Sequence, residues 1–180
     1  MSRKQVWWVA AAIASIALAA GFSLALRHFS TTGAGMSAEA FFARTFNDLD
    51  GQPIEMARWK DRIVVVNFWA TWCPPCVEEM PDLQRVHDEY ANRGVTVVGL
   101  GIDSPSALKR FRDEHGLSLP LFAAGASGSE LGRALGNPSG ALPYTILVDR
   151  TGRIVQTRLG QVQLAELRRW LDAQTGASSR

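Results

Sequence analysis

Hydrophobic residues form one long block at the amino end and then a series of short apolar runs separated by polar turns. The block, from Val6 to Leu26, holds 21 consecutive uncharged residues. As a helix rising about 1.5 Å per residue it would reach roughly 31 Å, enough for the hydrocarbon core of a bilayer. Arg3 and Lys4 precede it, which favours a cytoplasmic amino end and an exported body. Residues 1–29 are therefore predicted to be a single-pass membrane anchor.

A cleaved signal peptide is the alternative interpretation of the same block. Ala17-Leu18-Ala19 offers small residues at the spacing that a signal peptidase requires. The apolar run, however, is longer than the roughly 7–15 residues typical of a signal core. Both interpretations export the body of the chain. Residues 30–38 are small, polar and glycine-bearing, and they predict a flexible linker.

The body alternates strand-like and helix-like patterns, which predicts one α/β domain over residues 39–178. The apolar, β-branched run 63–69 is typical of a strand buried on both faces. Helical spacing follows over about 74–92, and then a second strand and helix, which together imply a parallel crossover. The turn dipeptide Asp50-Gly51 predicts a hairpin around 45–56. The remaining predicted elements are strands at 95–102, 119–123, 144–148 and 154–159, with helices at 106–115, 129–135 and 164–173.

Charge excludes nucleic acid as a partner. Three of the 19 Lys and Arg residues lie before residue 38, so the body carries 16 basic against 17 acidic side chains. A near-neutral body without a basic stripe lacks the electrostatic surface that binds a phosphate backbone.

Cys73 and Cys76 are the only cysteines, and they lie where the first predicted strand passes into a helix. Two residues three apart on a first helical turn can bridge each other. Two thiolates do not fill a tetrahedral zinc site, and the three scattered histidines offer no convincing further ligands. A purely structural disulfide is the alternative, but closing so short a loop stabilises a fold only weakly. The pair therefore predicts redox chemistry through a dithiol, with no metal or other cofactor.

The two sulfurs are expected to have different roles. Cys73, at the helix start, is the predicted nucleophile because unpaired N–H groups and the helix dipole lower a thiol pKa there. Cys76, one turn further in, is the predicted resolving thiol. Pro74 and Pro75 suit the opening positions of a helix, and they remove two N–H donors near the sulfurs.

The run from Asn67 to Pro81, NFWATWCPPCVEEMP, resembles the bacterial membrane-anchored, thioredoxin-like thiol–disulfide reductases of the TlpA/ResA/cytochrome c-maturation group. The resemblance covers most of residues 40–175. It implies a thioredoxin-like fold, in which helices flank a central mixed β-sheet, with an extra amino-terminal β-hairpin and an insertion after the first crossover.

The resemblance also implies roles for individual residues. Pro143 matches the family's cis-proline, and Leu142 matches the residue whose backbone pairs with a substrate strand; the alternative for Pro143 is an ordinary trans proline. Glu79 matches an acidic residue that influences the thiols, unless it is an unspecialised surface glutamate. Trp72 is expected to provide an apolar contact for the substrate or simply to pack. Asn67 stands where thioredoxins carry a buried acid, and an amide cannot accept a proton, so proton handling is assigned to Glu79.

The expected function is reduction of disulfides in exported proteins, such as apocytochromes c or copper-site assembly proteins. The resemblance implies an extracytoplasmic domain on the bacterial inner membrane and a membrane-embedded electron donor of the DsbD/CcdA type. Three alternatives stay open at this point: a periplasmic disulfide donor, a Cu(I) carrier using the same thiolates, and a peroxiredoxin.

Overall fold

A seven-stranded mixed β-sheet forms the centre of the protein. The structure is a computed structural model and describes residues 36–176. The strands are β1 (Thr45–Asp48), β2 (Pro53–Glu55), β3 (Ile63–Trp69), β4 (Val95–Gly101), β5 (Leu121–Ala123), β6 (Tyr144–Val148) and β7 (Ile154–Leu159). The helices are α1 (Glu39–Phe42), α2 (Pro74–Tyr90), α3 (Pro105–His115), α4 (Gly125–Ala134) and α5 (Leu164–Thr175), with 3₁₀ turns at Met56–Trp59 and Ala91–Arg93.

The strands lie in the order β2-β1-β5-β4-β3-β6-β7. The pairs β3–β4 and β4–β5 are parallel, and every other pair is antiparallel. The predicted crossover from β3 through α2 to β4 is confirmed, and the segment α3–β5 follows it where the insertion was expected. The chain therefore has the predicted thioredoxin-like fold.

Strand β3 lies at the centre because all seven of its residues are buried. Val65 and Trp69 face a core layer formed with α2, α3 and α5. Val64 and Phe68 face a second layer formed with α1 and α4. A strand covered on both faces has no polar side to turn to water, which explains its nearly continuous apolar sequence.

The β1–β2 hairpin is held by its own turn. Asp48 Oδ1 accepts hydrogen bonds from the backbone N–H of Asp50 at 2.9 Å and of Gln52 at 2.8 Å. Gly51 has a φ of 86°, a conformation that other residues rarely adopt. The predicted hairpin is thus confirmed. It extends the main sheet by pairing β1 with β5, which the local sequence pattern did not reveal.

Helix α4 begins four residues before the predicted start at Ser129. Glycines weaken a helical pattern, so the Gly125–Gly128 segment carries little sequence signal. Packing explains why a glycine occupies position 128 in this helix: a β-carbon there would lie 2.6 Å from the Ala124 side chain and 2.7 Å from that of Ile102. The close approach of this turn to the sheet requires glycine.

The predicted membrane anchor lies outside the described residues, and so does most of the linker. The last residues of the linker contact the domain: Ile154 N–H donates to Met36 O at 2.7 Å, and Ala38 N–H donates to Gly152 O at 2.9 Å. Within residues 36–176, no helix combines the length and apolar character needed to span a bilayer.

Candidate active site

Cys73 and Cys76 form a disulfide where β3 passes into α2, with Cα atoms 5.3 Å apart. Cys73 is the extended residue that caps the helix, with φ −103° and ψ 102°. Its carbonyl accepts hydrogen bonds from Cys76 N–H at 3.0 Å and from Val77 N–H at 3.1 Å. Cys73 retains 6% of its surface exposed, whereas Cys76 has none. The two cysteines are thus bonded, and Cys73 is the less deeply buried of the pair.

The first helical turn offers Cys73 few free N–H groups, as the two prolines in the sequence indicated. Pro74 and Pro75 occupy the opening helical positions and have no N–H. The next donor, Cys76 N–H, is bonded to the Cys73 carbonyl. Stabilisation of a thiolate at Cys73 by α2 would therefore rest on the helix dipole rather than on direct N–H contacts.

Glu79 lies one helical turn beyond Cys76 and is completely buried. Its Oε1 accepts a hydrogen bond from Asn67 Nδ2 at 2.7 Å, and its Oε2 accepts one from the backbone N–H of Val162 at 2.8 Å. Asn67 Nδ2 also donates to Thr145 Oγ1 at 2.9 Å. The carboxyl group therefore connects α2 to β3, to β6 and to the loop before α5. This burial excludes the interpretation of Glu79 as an unspecialised surface residue.

Burial raises the pKa of Glu79 from its ordinary 4.5 to about 7, and the hydrogen bonds from Val162 and Asn67 only partly oppose this rise. A buried carboxylate loses the solvation that favours its charge. At neutral pH the protonated and ionised forms of this group are both populated, which is the property that proton transfer requires.

The Leu142–Pro143 peptide bond is cis, as expected. Tyr144 pairs with Phe68 across β6 and β3, so Pro143 lies level with the end of the strand that leads to the cysteines. Pro143 O accepts a hydrogen bond from Gly160 N–H at 2.8 Å. The backbone N–H and C=O of Leu142 make no hydrogen bond to another residue within the described part of the chain.

Trp72 is a large hydrophobic residue at the site with 65% of its surface exposed. That exposure argues against a purely packing role. The turn that carries it is tied to the end of β4, because Asp103 Oδ2 accepts hydrogen bonds from the Thr71 backbone N–H at 3.3 Å and from the Thr71 hydroxyl.

Three contributors to the site were not identified from the sequence. Val162 contributes a backbone N–H, which leaves no sequence signal. Thr145 sits in a buried strand and resembles an ordinary core residue. Asp103 gave a usable signal, since polar residues that follow a parallel strand lie at the edge of the sheet where sites form.

A disulfide at the start of a helix that follows the central strand, level with a cis-proline and with its first cysteine less buried than its second, defines a thiol–disulfide oxidoreductase with a thioredoxin-like fold. Residues 34–170 match the Redoxin family, and the chain belongs to that family.

Named relatives agree with this assignment. The thiol-disulfide oxidoreductase ResA of Halalkalibacterium halodurans is 31% identical over 159 residues, which is 88% of each chain. Among solved structures, a thioredoxin-family thiol:disulfide interchange protein from Chlorobium tepidum superposes with a TM-score of 0.67 at 28% identity, over 79% of this chain and 97% of that one. A DsbF homologue from Corynebacterium diphtheriae gives a TM-score of 0.65 at 28% identity, over 72% and 83%. The protein is thus an enzyme that exchanges thiols and disulfides, and its substrates are protein thiols.

Proposed function

We propose that the protein reduces disulfides in exported proteins. The Cys73 thiolate attacks one sulfur of a substrate disulfide, which gives a mixed disulfide and a substrate thiolate. The Cys76 thiolate then attacks Cys73 Sγ, releases the second substrate thiolate and closes the Cys73–Cys76 disulfide. The substrate disulfide gains two electrons and two protons and becomes two thiols, and the enzyme dithiol loses two electrons and two protons and becomes a disulfide.

The observation that carries this assignment of roles is the difference in accessibility within the pair. Cys73 retains 6% of its surface exposed and Cys76 none, so an incoming substrate disulfide has the shorter path to Cys73. Cys73 also caps α2, where the positive end of the helix dipole favours a thiolate.

Glu79 is proposed to hold the proton that the resolving thiol must lose. Asn67 cannot take this proton itself, but its amide can serve either form of the carboxyl group. In the observed orientation Nδ2 donates to Glu79 Oε1, which suits an ionised carboxyl; rotating the amide by about 180° would present Oδ1 as acceptor to a protonated carboxyl. The contact therefore survives protonation of Glu79.

The substrate is proposed to dock between Trp72 and the cis-proline turn. Trp72 exposes apolar surface, and the Leu142 backbone has no hydrogen-bond partner among residues 36–176. Together they suit an extended polypeptide, which needs both backbone partners and an apolar contact.

We further propose that the domain works outside the cytoplasm of a bacterium, tethered by residues 1–29 to the inner membrane. The apolar block and the positive charges before it support this location. A membrane-embedded donor of the DsbD/CcdA type would return electrons to the pair, and apocytochromes c or copper-site assembly proteins would be the substrates.

Trapping tests the chemistry. In a Cys76→Ala variant the resolving step is absent, so substrates should accumulate as mixed disulfides on Cys73. A Cys73→Ala variant is the matched control, because it keeps only the buried thiol. Non-reducing gels of exported protein fractions, followed by identification of the trapped partners, would measure both. Equal trapping by the two variants, or none by Cys76→Ala, would refute the assignment.

The equilibrium potential of the pair tests the direction. A reductase should lie near thioredoxin at about −270 mV, whereas a disulfide donor would lie near DsbA at about −120 mV. Titration against glutathione measures this value, and a result near the higher figure would overturn the proposed direction. Metal analysis of anaerobically purified protein distinguishes the Cu(I) carrier, which would retain copper in proportion to its reduced thiols.

A further inference from the structure

The turn that bears Trp72 and Cys73 is anchored by a carboxylate from the neighbouring strand end. Asp103 Oδ2 accepts both the backbone N–H and the hydroxyl of Thr71. Its second oxygen, Oδ1, accepts the backbone N–H of Ser104 at 2.7 Å. Among residues 36–176, Asp103 forms no salt bridge. Its two carboxylate oxygens therefore accept hydrogen bonds from Thr71 and Ser104 without a competing cation.

Little else within the turn fixes its shape. The turn runs from Ala70 to Cys73, and its one internal backbone hydrogen bond, from Cys73 N–H to Ala70 O, is long at 3.3 Å. The strands beneath it are firmly joined, because Ile102 N–H donates to Trp69 O at 2.7 Å. Asp103 thus links the firmly bonded end of β4 to Thr71, the second residue of a turn with little internal hydrogen bonding.

We propose that Asp103 and Thr71 are positioning residues, which hold Trp72 and Cys73 in the orientation that a protein disulfide requires. The two residues act on substrate engagement and leave the reactivity of the thiol unchanged. This inference depends only on the thiol–disulfide exchange activity. It can therefore be tested independently of the proposed reduction of exported proteins.

Geometry explains why the effect should depend on substrate size. A protein disulfide is held by its own fold, so its chain must contact Trp72 for the disulfide to reach Cys73 Sγ. A displaced turn weakens this docking contact and so lowers the affinity for the protein substrate. A small alkylating reagent diffuses freely to the sulfur and needs no docking contact.

The test compares Thr71→Val with Thr71→Ser in the full chain. Valine has the shape of threonine without the hydroxyl, whereas serine keeps it. Two readouts are measured: reduction of insulin with dithiothreitol as the recycling reductant, and alkylation of the reduced chain by iodoacetamide. Loss of a hydrogen bond to a charged group should raise the KM for insulin in Thr71→Val roughly tenfold. The kcat and the alkylation rate should stay within about twofold of wild type. Thr71→Ser should behave as wild type in both assays.

Asp103→Ala provides a second, independent variant. It should raise the KM for insulin at least as much as Thr71→Val, because both hydrogen bonds to Thr71 are lost. Adding Thr71→Val to Asp103→Ala should cause little further change, since the two residues act through one contact. An unchanged KM in both single variants would overturn the proposal. So would equal losses in insulin reduction and in alkylation, because the residues would then act on the thiol itself.

Discussion

Replacing Glu79 by glutamine should make the protein more stable at alkaline pH. Glutamine has the size of glutamate but does not ionise. Its one carbonyl oxygen can accept the Val162 N–H, and its amide can donate to Asn67 Oδ1 once the Asn67 amide has rotated. Thr145 Oγ1 can then donate to the same Oδ1, so the buried contacts are retained and only the charge is lost.

The magnitude follows from the pKa. In the folded chain the pKa of Glu79 is about 7, against an ordinary 4.5. Because the folded state binds this proton more tightly, its stabilising contribution is complete below the ordinary value and is lost as the pH rises through 7. A shift of this size corresponds to about 3 kcal/mol of unfolding free energy. The stability of Glu79→Gln relative to wild type should therefore rise by about 3 kcal/mol between pH 4.5 and about pH 8.

Urea denaturation of the oxidised chain, repeated across this pH range, measures the difference. Oxidised protein is used because its disulfide-bonded cysteines do not titrate. Groups that the substitution does not touch contribute equally to wild type and variant, so their contributions cancel in the difference. Glu78→Gln is the matched control, since Glu78 is the adjacent, exposed residue of the same helix. A Glu79→Gln difference that does not change with pH, or that Glu78→Gln reproduces, would show that Glu79 ionises like an ordinary surface acid.

Two further substitutions test the packing around the site. Asn67→Asp would place a second carboxyl group against Glu79 Oε1, which now lies 2.7 Å from the Asn67 amide. Between pH 5 and pH 8, urea denaturation should show a loss of unfolding free energy that exceeds the wild-type loss by about 2 kcal/mol or more. An unchanged pH dependence would mean that the two groups are not in contact. Gly101→Ala would drive a β-carbon into the buried Leu108 side chain and should lower the unfolding free energy by about 1–3 kcal/mol, whereas a neutral result in the same assay would show that Leu108 can move aside.

The sequence predicted those parts of the fold in which local pattern and burial agree. Strand β3 was predicted with its observed ends, because a run buried on both faces is apolar throughout. Strands β6 and β7 were also predicted with their observed ends, on either side of the turn-rich segment 149–152. The pairing of β1 with β5 was not predictable, since it joins segments about 75 residues apart and leaves no local periodicity. Helix α1 was missed because four residues are too few for a helical period.

The sequence predicted only those parts of the candidate site whose side chains are close to one another along the chain. The cysteines and prolines were identified by spacing alone. The environment that perturbs Glu79 was not predictable, because it depends on a backbone N–H from Val162, 83 residues away, and on complete burial. The resemblance to a known family suggested that Glu79 matters; only the three-dimensional contacts explain how its pKa is raised.

The position of Glu79 also predicts how the redox potential depends on pH. Glu79 is three residues after Cys76, on the same side of α2. Reduction adds thiols that carry negative charge when ionised, and such charge nearby should raise the pKa of Glu79 above its value of about 7 in the disulfide form. Between those two pKa values, a reduced form with one ionised thiol takes up one proton on the other sulfur and one on Glu79. The potential should then fall by about 59 mV per pH unit just above neutrality, whereas in Glu79→Gln, which takes up only the proton on sulfur, it should fall by about 30 mV per pH unit. Glu78→Gln should keep the larger slope in equilibrium titrations against glutathione. If wild type and Glu79→Gln share one slope, ionisation of Glu79 is independent of the disulfide, and its part in resolving the mixed disulfide has to be abandoned.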